Sequence, residues 1–156
     1  MVAAWMLING SPASASSCPN TNTLVTGLSP RSMESSIACL INEQRAAYGD
    51  QPVRPNPVLR QAALGHSSEM VSEGYFGHTS PAGVTFVDRI VAAGYTRGAH
   101  SRQVGENLAW GTGPLSTPQS LVNSWMNSPP HRENLLRPGF REIGIAAVVG
   151  TPRAAA

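Results

Sequence analysis

Two short segments place a histidine just beyond a helix signal: "YFGHTSPAG" carries His78 and "SPPHREN" carries His131. Glycine and proline on either side fix the backbone there, so each imidazole can point into a cleft. Between them, "VGEN" puts Glu106 inside an otherwise apolar run, where a carboxylate either pairs with something or titrates high. Two imidazoles and one carboxylate are the ligand set of an open divalent-metal site with a fourth position for water. They are equally an acid/base set, histidine as proton shuttle and glutamate as orienting partner. His–Glu hydrogen bonds also serve simply to satisfy buried polar groups, and spacing alone does not choose among these. The remaining histidines read more plainly. His66 falls on the apolar face of a helix and is expected to be a hydrogen-bonded core or boundary residue, while His100, in "TRGAHSRQ", is expected in a solvated loop. Ser80 and Ser128 each lie near a histidine, but neither sits in a nucleophile-elbow pattern, so serine hydrolysis ranks third.

Four helices are expected to position these residues. Met33, Ile37, Leu40, Ile41 and Tyr48 recur at helical spacing, with Ser32 as N-cap and Gly49 as stop. Asn56-Pro57 is a capping side chain followed by proline in the first turn, and it opens a second helix that ends near Gly74. Thr85 and Asp88 resemble a capping box for a short third helix ending at Gly94. Thr117-Pro118 repeats the cap-then-proline signal for a fourth, which Pro129 and Pro130 terminate. The glycine-bounded apolar runs "QVGENLAWG" (103–111) and "REIGIAAVVG" (141–150) read as strands. The fold class is therefore α+β, about four helices around a small antiparallel sheet. Two strands make a marginal sheet, so either helices cover both faces or a last strand is missing.

The totals narrow the classes. A chain of 156 residues is one domain with room for a real core. Charged residues make up 13%, against roughly 25% in an average soluble domain. With net charge +2 and no cluster of basic residues, nucleic acid is excluded as a partner. Residues 1–15 read as a secretion signal: an apolar stretch, then Gly10 and Pro12, then Ala13-Ser14-Ala15 as the small-x-small cleavage pattern. No Lys or Arg precedes its short apolar core, so the leader is expected to be truncated; it is too short for a membrane span. Residues 16–35 form a polar entry segment, 36–150 the domain, and 151–156 a short tail. In an oxidising compartment the only two cysteines, Cys18 and Cys39, read as one disulfide.

Taken in order, "LINEQRAAYG", "AALGHSSEMVSEGYFGHTSPAG", "DRIVAAGY", "VGENLAWG", "SWMNSPPHRENLL" and "FREIGIAAV" resemble the secreted bacterial branch of the CAP superfamily, the cysteine-rich secretory protein, antigen 5 and pathogenesis-related-1 group. The resemblance spans roughly residues 36–150 and implies a three-layer α-β-α sandwich in an extracellular or cell-envelope protein. Members of the family carry two histidines and two acids in a central cleft that, in several, binds zinc or another divalent cation. Carried over by motif, these positions are His78, Glu106 and His131, with Asn107 and Ser128 as their supporting neighbours. The second acid falls on Ser128, three residues after Trp125. With that carboxylate gone, zinc or a similar cation is expected to bind weakly. Asp88 and Glu133 are the nearest alternative acids, Glu133 being expected to face solvent. The resemblance implies a secreted binding module for a lipid or envelope ligand, of no established catalytic class. The alternative is a metal-dependent hydrolase in which His78, Glu106 and His131 hold the cation that activates water.

Overall fold

Proline sets most of the helix starts. A polar residue followed by proline opens α1 (Pro30–Ala47), α2 (Pro57–Glu73), α4 (Pro118–Met126) and α5 (Pro129–Leu135). At a first turn, proline's fixed φ suits the helix and its missing N–H removes one unsatisfied donor. Asn56 and Thr117 cap α2 and α4 through their side chains, as the sequence predicts. Thr85 and Asp88 form the complete capping box of α3 (Phe86–Ala92). The structure, a computed structural model, describes residues 16–96 and 103–152; the leader at 1–15, His100 and the tail beyond Pro152 lie outside the described residues.

Several expectations need correction. The cap of α1 is Ser29, not Ser32: the Ser29 hydroxyl accepts from the Ser32 amide, and Pro30 makes the first turn. Pro129 and Pro130 do follow the end of α4, but they also open a fifth helix, so the described residues hold five α-helices rather than four. The sheet is parallel, not antiparallel. It pairs β1 (Arg54–Pro55) with β2 (Glu142–Ile143), in the register Arg54 to Glu142 and Pro55 to Ile143. The 86 residues between them include α2 to α5, which supply the long crossover a parallel pair requires.

The run 103–111 forms no ladder, because side chains from the helices take its carbonyls. Trp125 Nε1 donates to the Leu108 carbonyl at 3.0 Å and Asn134 Nδ2 to that of Glu106 at 3.4 Å. Of 141–150, only Glu142 and Ile143 are strand.

Met33, Ile37, Leu40 and Ile41 of α1 make one buried cluster with Cys18, Val53, Val122 and Leu135. Accordingly α1 packs on α4 and α4 on α5, while α2 packs on α3. Cys18 and Cys39 form the disulfide read from the sequence, tying the entry segment to α1. Fully buried Arg45 fastens α1 to the chain after α5: its guanidinium donates to the carbonyls of Gln51, Leu135, Arg137 and Phe140. Desolvation lowers its pKa, opposed by the charge of Asp50, and four accepting carbonyls satisfy the guanidinium's donors.

Between the helices lies a cavity of about 570 Å³. Its walls come from α1, α2, α3, α4 and the segments 103–111 and 139–150. Among the described residues, no helix is long and apolar enough to cross a membrane.

Candidate functional site

The site is assembled by the turn after α2, by α3, by the irregular run 103–111 and by the start of α5. Gly74 ends α2 in the left-handed conformation, φ 70°, which releases the chain into the His78 turn. Buried His66 steadies that turn, with Nε2 2.8 Å from the Gly77 carbonyl. Farther along, Ser80 is buried and ties back to Val84 through backbone and hydroxyl, which makes it a turn residue.

His78 Nδ1 lies 2.9 Å from Glu106 Oε1. A carboxylate only accepts, so Nδ1 donates this bond. Arg89 of α3 completes the group. Its Nη2 donates to Glu106 Oε2 at 2.9 Å and Oε1 at 3.2 Å, and to the His78 carbonyl at 2.9 Å; its Nη1 donates to the Val84 carbonyl at 3.0 Å. His78 is about half exposed, while Glu106 and Arg89 are mostly covered.

His131 is held differently. Its Nδ1 is 2.9 Å from the Ser128 hydroxyl. Ser128 is the N-cap residue of α5, yet its side chain makes no cap hydrogen bond. The prolines that follow help explain why it can be spared: Pro129 and Pro130 have no N–H, so two of the four unsatisfied donors of the first turn do not exist, one of them at the N2 position a cap would serve. The hydroxyl goes to the imidazole instead. Asn107, beside Glu106, donates from Nδ2 to the His131 carbonyl at 2.9 Å and accepts from Asn134 Nδ2 at 3.1 Å. Asn107 and Asn134 thus bridge the Glu106 segment to α5. A Cβ on Gly105 would come within 3.0 Å of Asn134 Oδ1, so this approach favours glycine there.

The structure therefore joins His78 to Glu106 directly, and His131 to the same segment through Asn107. Among the described residues, the only group of three His, Cys, Asp or Glu ligand atoms within 4.8 Å of one another is Cys18, Cys39 and Glu43, whose sulfurs are spent in the disulfide. Neither alternative acid replaces the one absent at Ser128. Asp88 is committed to Thr85, whose hydrogen bonds lower its pKa, and Glu133 faces solvent beside Arg137. The donor chemistry nevertheless suits a cation at the imidazoles: a histidine whose Nδ1–H is held by a carboxylate, leaving Nε2 outward, is the usual arrangement of a metal-binding histidine. Glu106 meanwhile accepts from both His78 and Arg89.

Sequence reasoning missed Arg89 and Asn134. The signal for Arg89 was a single cation within the apolar run "FVDRIVA", where a buried side chain needs a carboxylate. Asn134 gave no sequence signal. Arg89 and Glu106 also line the 570 Å³ cavity, together with apolar residues such as Met70, Phe86, Ile90 and Trp125. The ion pair is thus shared between the cleft and the cavity.

Comparison with known proteins places these features in context. Residues 39–155 match the CAP, or cysteine-rich secretory protein, family. The uncharacterized protein YkwD of Bacillus subtilis (strain 168) is 31% identical over 137 residues, which are 88% of this chain and 50% of that protein. An extracellular protein containing a SCP domain from Bacillus anthracis str. Ames superposes with a TM-score of 0.62 at 27% identity, covering 79% of this chain and 41% of its own. An outer surface protein from Borrelia burgdorferi shares the fold, with a TM-score of 0.63 at 22% identity over 75% of this chain and 81% of its own. The chain spans half or less of the two Bacillus proteins.

Proposed function

The chain belongs to the CAP, or cysteine-rich secretory protein, family, and from that premise we propose that it is a secreted, extracellular or cell-envelope binding module. Its interior cavity takes a lipid or an apolar envelope component, and the adjoining cleft holds a divalent cation weakly, through His78 and His131 with Glu106 behind His78. The same reading takes the three-layer α-β-α sandwich as its architecture, the segments 103–111 and 139–150 supplying the middle layer.

The observation that carries this reading is the cavity. A volume of about 570 Å³ falls within the range of small-molecule sites, and its lining is more apolar than polar, with Arg89, Glu106, Asn107 and Asn134 among the polar groups. That is the chemistry of a chain-like apolar ligand with a polar end. Extracellular and surface proteins among the similar structures support the location.

Two measurements test the two halves. Uptake of cis-parinaric acid, followed by energy transfer from Trp125 and its neighbours, should be saturable near one per chain; absence of uptake would remove the lipid ligand. Calorimetry with zinc should show weak one-site heat in the wild type, lost in His78→Ala and His131→Ala; no heat in either the wild type or a folded Arg89→Gln variant would remove the cation.

The His78–Glu106 pair also favours the second reading, a metal-dependent hydrolase. A bound cation supplies Lewis acidity and a water of lowered pKa. The chain's own part is to orient His78 through Glu106 and His131 through Ser128. Zinc-dependent turnover of an ester or peptide probe, lost in His78→Ala, would establish this reading; zinc binding without turnover leaves the binding module.

A further inference from the structure

We infer that Arg89 is the resident cation of the cleft: it neutralises Glu106 and so sets a ceiling on the affinity for any divalent cation that His78 and His131 hold. The inference rests on the cation half of the proposed function.

Three features of the contact lead to it. Both carboxylate oxygens of Glu106 accept from one guanidinium nitrogen, Nη2, at 2.9 and 3.2 Å, while Oε1 also accepts from His78. The guanidinium is anchored independently of Glu106, by the His78 and Val84 carbonyls at 2.9 and 3.0 Å, and the turn around it is closed by Ser80. An arriving cation therefore cannot push it aside without breaking bonds to the same turn that carries His78. Finally, the side chains of Arg89 and Glu106 are only 10% and 17% exposed. Charges covered to that degree are screened less than surface pairs, and a guanidinium does not shed its proton to relieve repulsion.

The charge balance then follows from the residues present. Glu106 contributes one negative charge and Arg89 one positive, and an imidazole that ligates a metal adds none. Asp88 is spent on the α3 cap and Glu133 on Arg137 at the surface. Ser128 adds a hydroxyl where a carboxylate would have tipped the balance. A divalent cation at the imidazoles meets a site with no net negative charge to attract it and a fixed positive charge close by.

Zinc calorimetry on Arg89→Gln and Arg89→Met, with circular dichroism to confirm the native fold, tests the role. Two neutral replacements of different shape are used so that one folded variant suffices. Tenfold or greater tightening of zinc in either variant relative to wild type is the expected result, and appearance of binding where the wild type shows none counts the same way. In Glu106→Gln, where Arg89 stands uncompensated, zinc should bind more weakly than in the wild type. Wild-type binding that is unchanged or weakened by both Arg89 substitutions overturns the inference and leaves the cation reading standing. No zinc heat in the wild type or in a folded Arg89 variant overturns the cation reading, and the inference with it.

Discussion

His66 is 1% exposed, and both of its ring nitrogens are partnered. The Gly77 carbonyl, 2.8 Å from Nε2, can only accept, so Nε2 donates to it, while Nδ1 faces both the Tyr75 hydroxyl at 3.3 Å and Glu69 Oε2 at 3.4 Å. Reading this residue as a hydrogen-bonded part of the α2 apolar face was sound, and the bond adds a link to the functional site: Gly77 precedes His78, so the turn that presents the candidate ligand is buttressed from the core. Tyr75 pays for its place in that network when ionised. Burial first, then the hydrogen bond and charge of Glu69, push its phenol up to about 12. A group whose pKa is raised on folding contributes stability that is complete below its unfolded value of 10.0 and is lost as the pH climbs toward about 12. The chain has no lysine, and both cysteines are in the disulfide, so phenols dominate side-chain titration in that interval. The melting temperature should therefore fall between pH 10 and 12, and Tyr75→Phe should flatten the fall. An identical decline in the variant would place the alkaline sensitivity elsewhere, in Tyr48 or Tyr95.

At the scale of elements, Asn56 joins a helix to the sheet. Its Oδ1 accepts from the Val58 and Leu59 amides at 2.8 and 3.1 Å, its Nδ2 donates to Glu142 Oε1 at 2.7 Å, and its own amide donates to the Ile143 carbonyl at 2.8 Å. Just beyond, Gly144 lets β2 lie against α2, since a Cβ there would meet Leu59 and Arg60 backbone atoms at 2.2 and 2.4 Å. Replacing Asn56 with alanine removes the cap and the Glu142 bond together. The expected loss is about 1–2 kcal/mol, or roughly 2–8 °C in melting temperature for a domain of this size. Thermal melts of Asn56→Ala and Asn56→Asp separate the two contributions: the aspartate keeps the cap but sets a carboxylate against Glu142, so a full recovery would show that the Glu142 bond contributes nothing. The same scale explains what the sequence made legible. Caps and prolines are local chemistry, so α2, α3 and α4 could be read from neighbouring residues. The first turn of α5 could not, because Pro129-Pro130 is as good a stop for one helix as a start for the next. The run 103–111 looks like a strand by composition and is prevented from being one by Trp125 and Asn134, 17 and 28 residues away from the carbonyls they bind. For the site, the pairing of His78 with Glu106 was legible as chemistry. Arg89 left only the weak signal of one cation among apolar residues, because an arginine on a short helix ordinarily faces solvent.

Across the whole molecule, a buried carboxylate links the two helical groups. Glu34 of α1 accepts from Arg60 of α2 at 2.7 and 2.8 Å and from the Ala147 amide at 3.3 Å, which ties both groups to the last irregular segment. The disulfide acts on one group only. It fixes the entry segment to α1, with Cys18 inside the core cluster and the Thr21 carbonyl accepting from the Gln119 amide of α4 at 2.9 Å. At its edge Ser16 and Ser17 donate three hydrogen bonds to Glu43, and that from Ser16 is the largest cause of a lowered Glu43 pKa. A loop closed across a sequence separation of 21 constrains the unfolded chain by about 3 kcal/mol, so reduction should lower the melting temperature by roughly 6–12 °C near neutral pH. The serines can stay on Glu43 only while Cys18 is held to Cys39, so the carboxylate's contribution should vanish with the crosslink. A carboxylate lowered on folding stabilises above its unfolded pKa of 4.5, and that stability is lost as the pH falls through the lower, folded value. The oxidised protein should consequently lose its advantage over the Cys18→Ala/Cys39→Ala form in part as the pH drops below about 4.5, leaving only the chain-entropy share. Melts of both forms from pH 7 to pH 3 measure this, and a gap that stays constant across that range would mean the serine clamp forms without the disulfide.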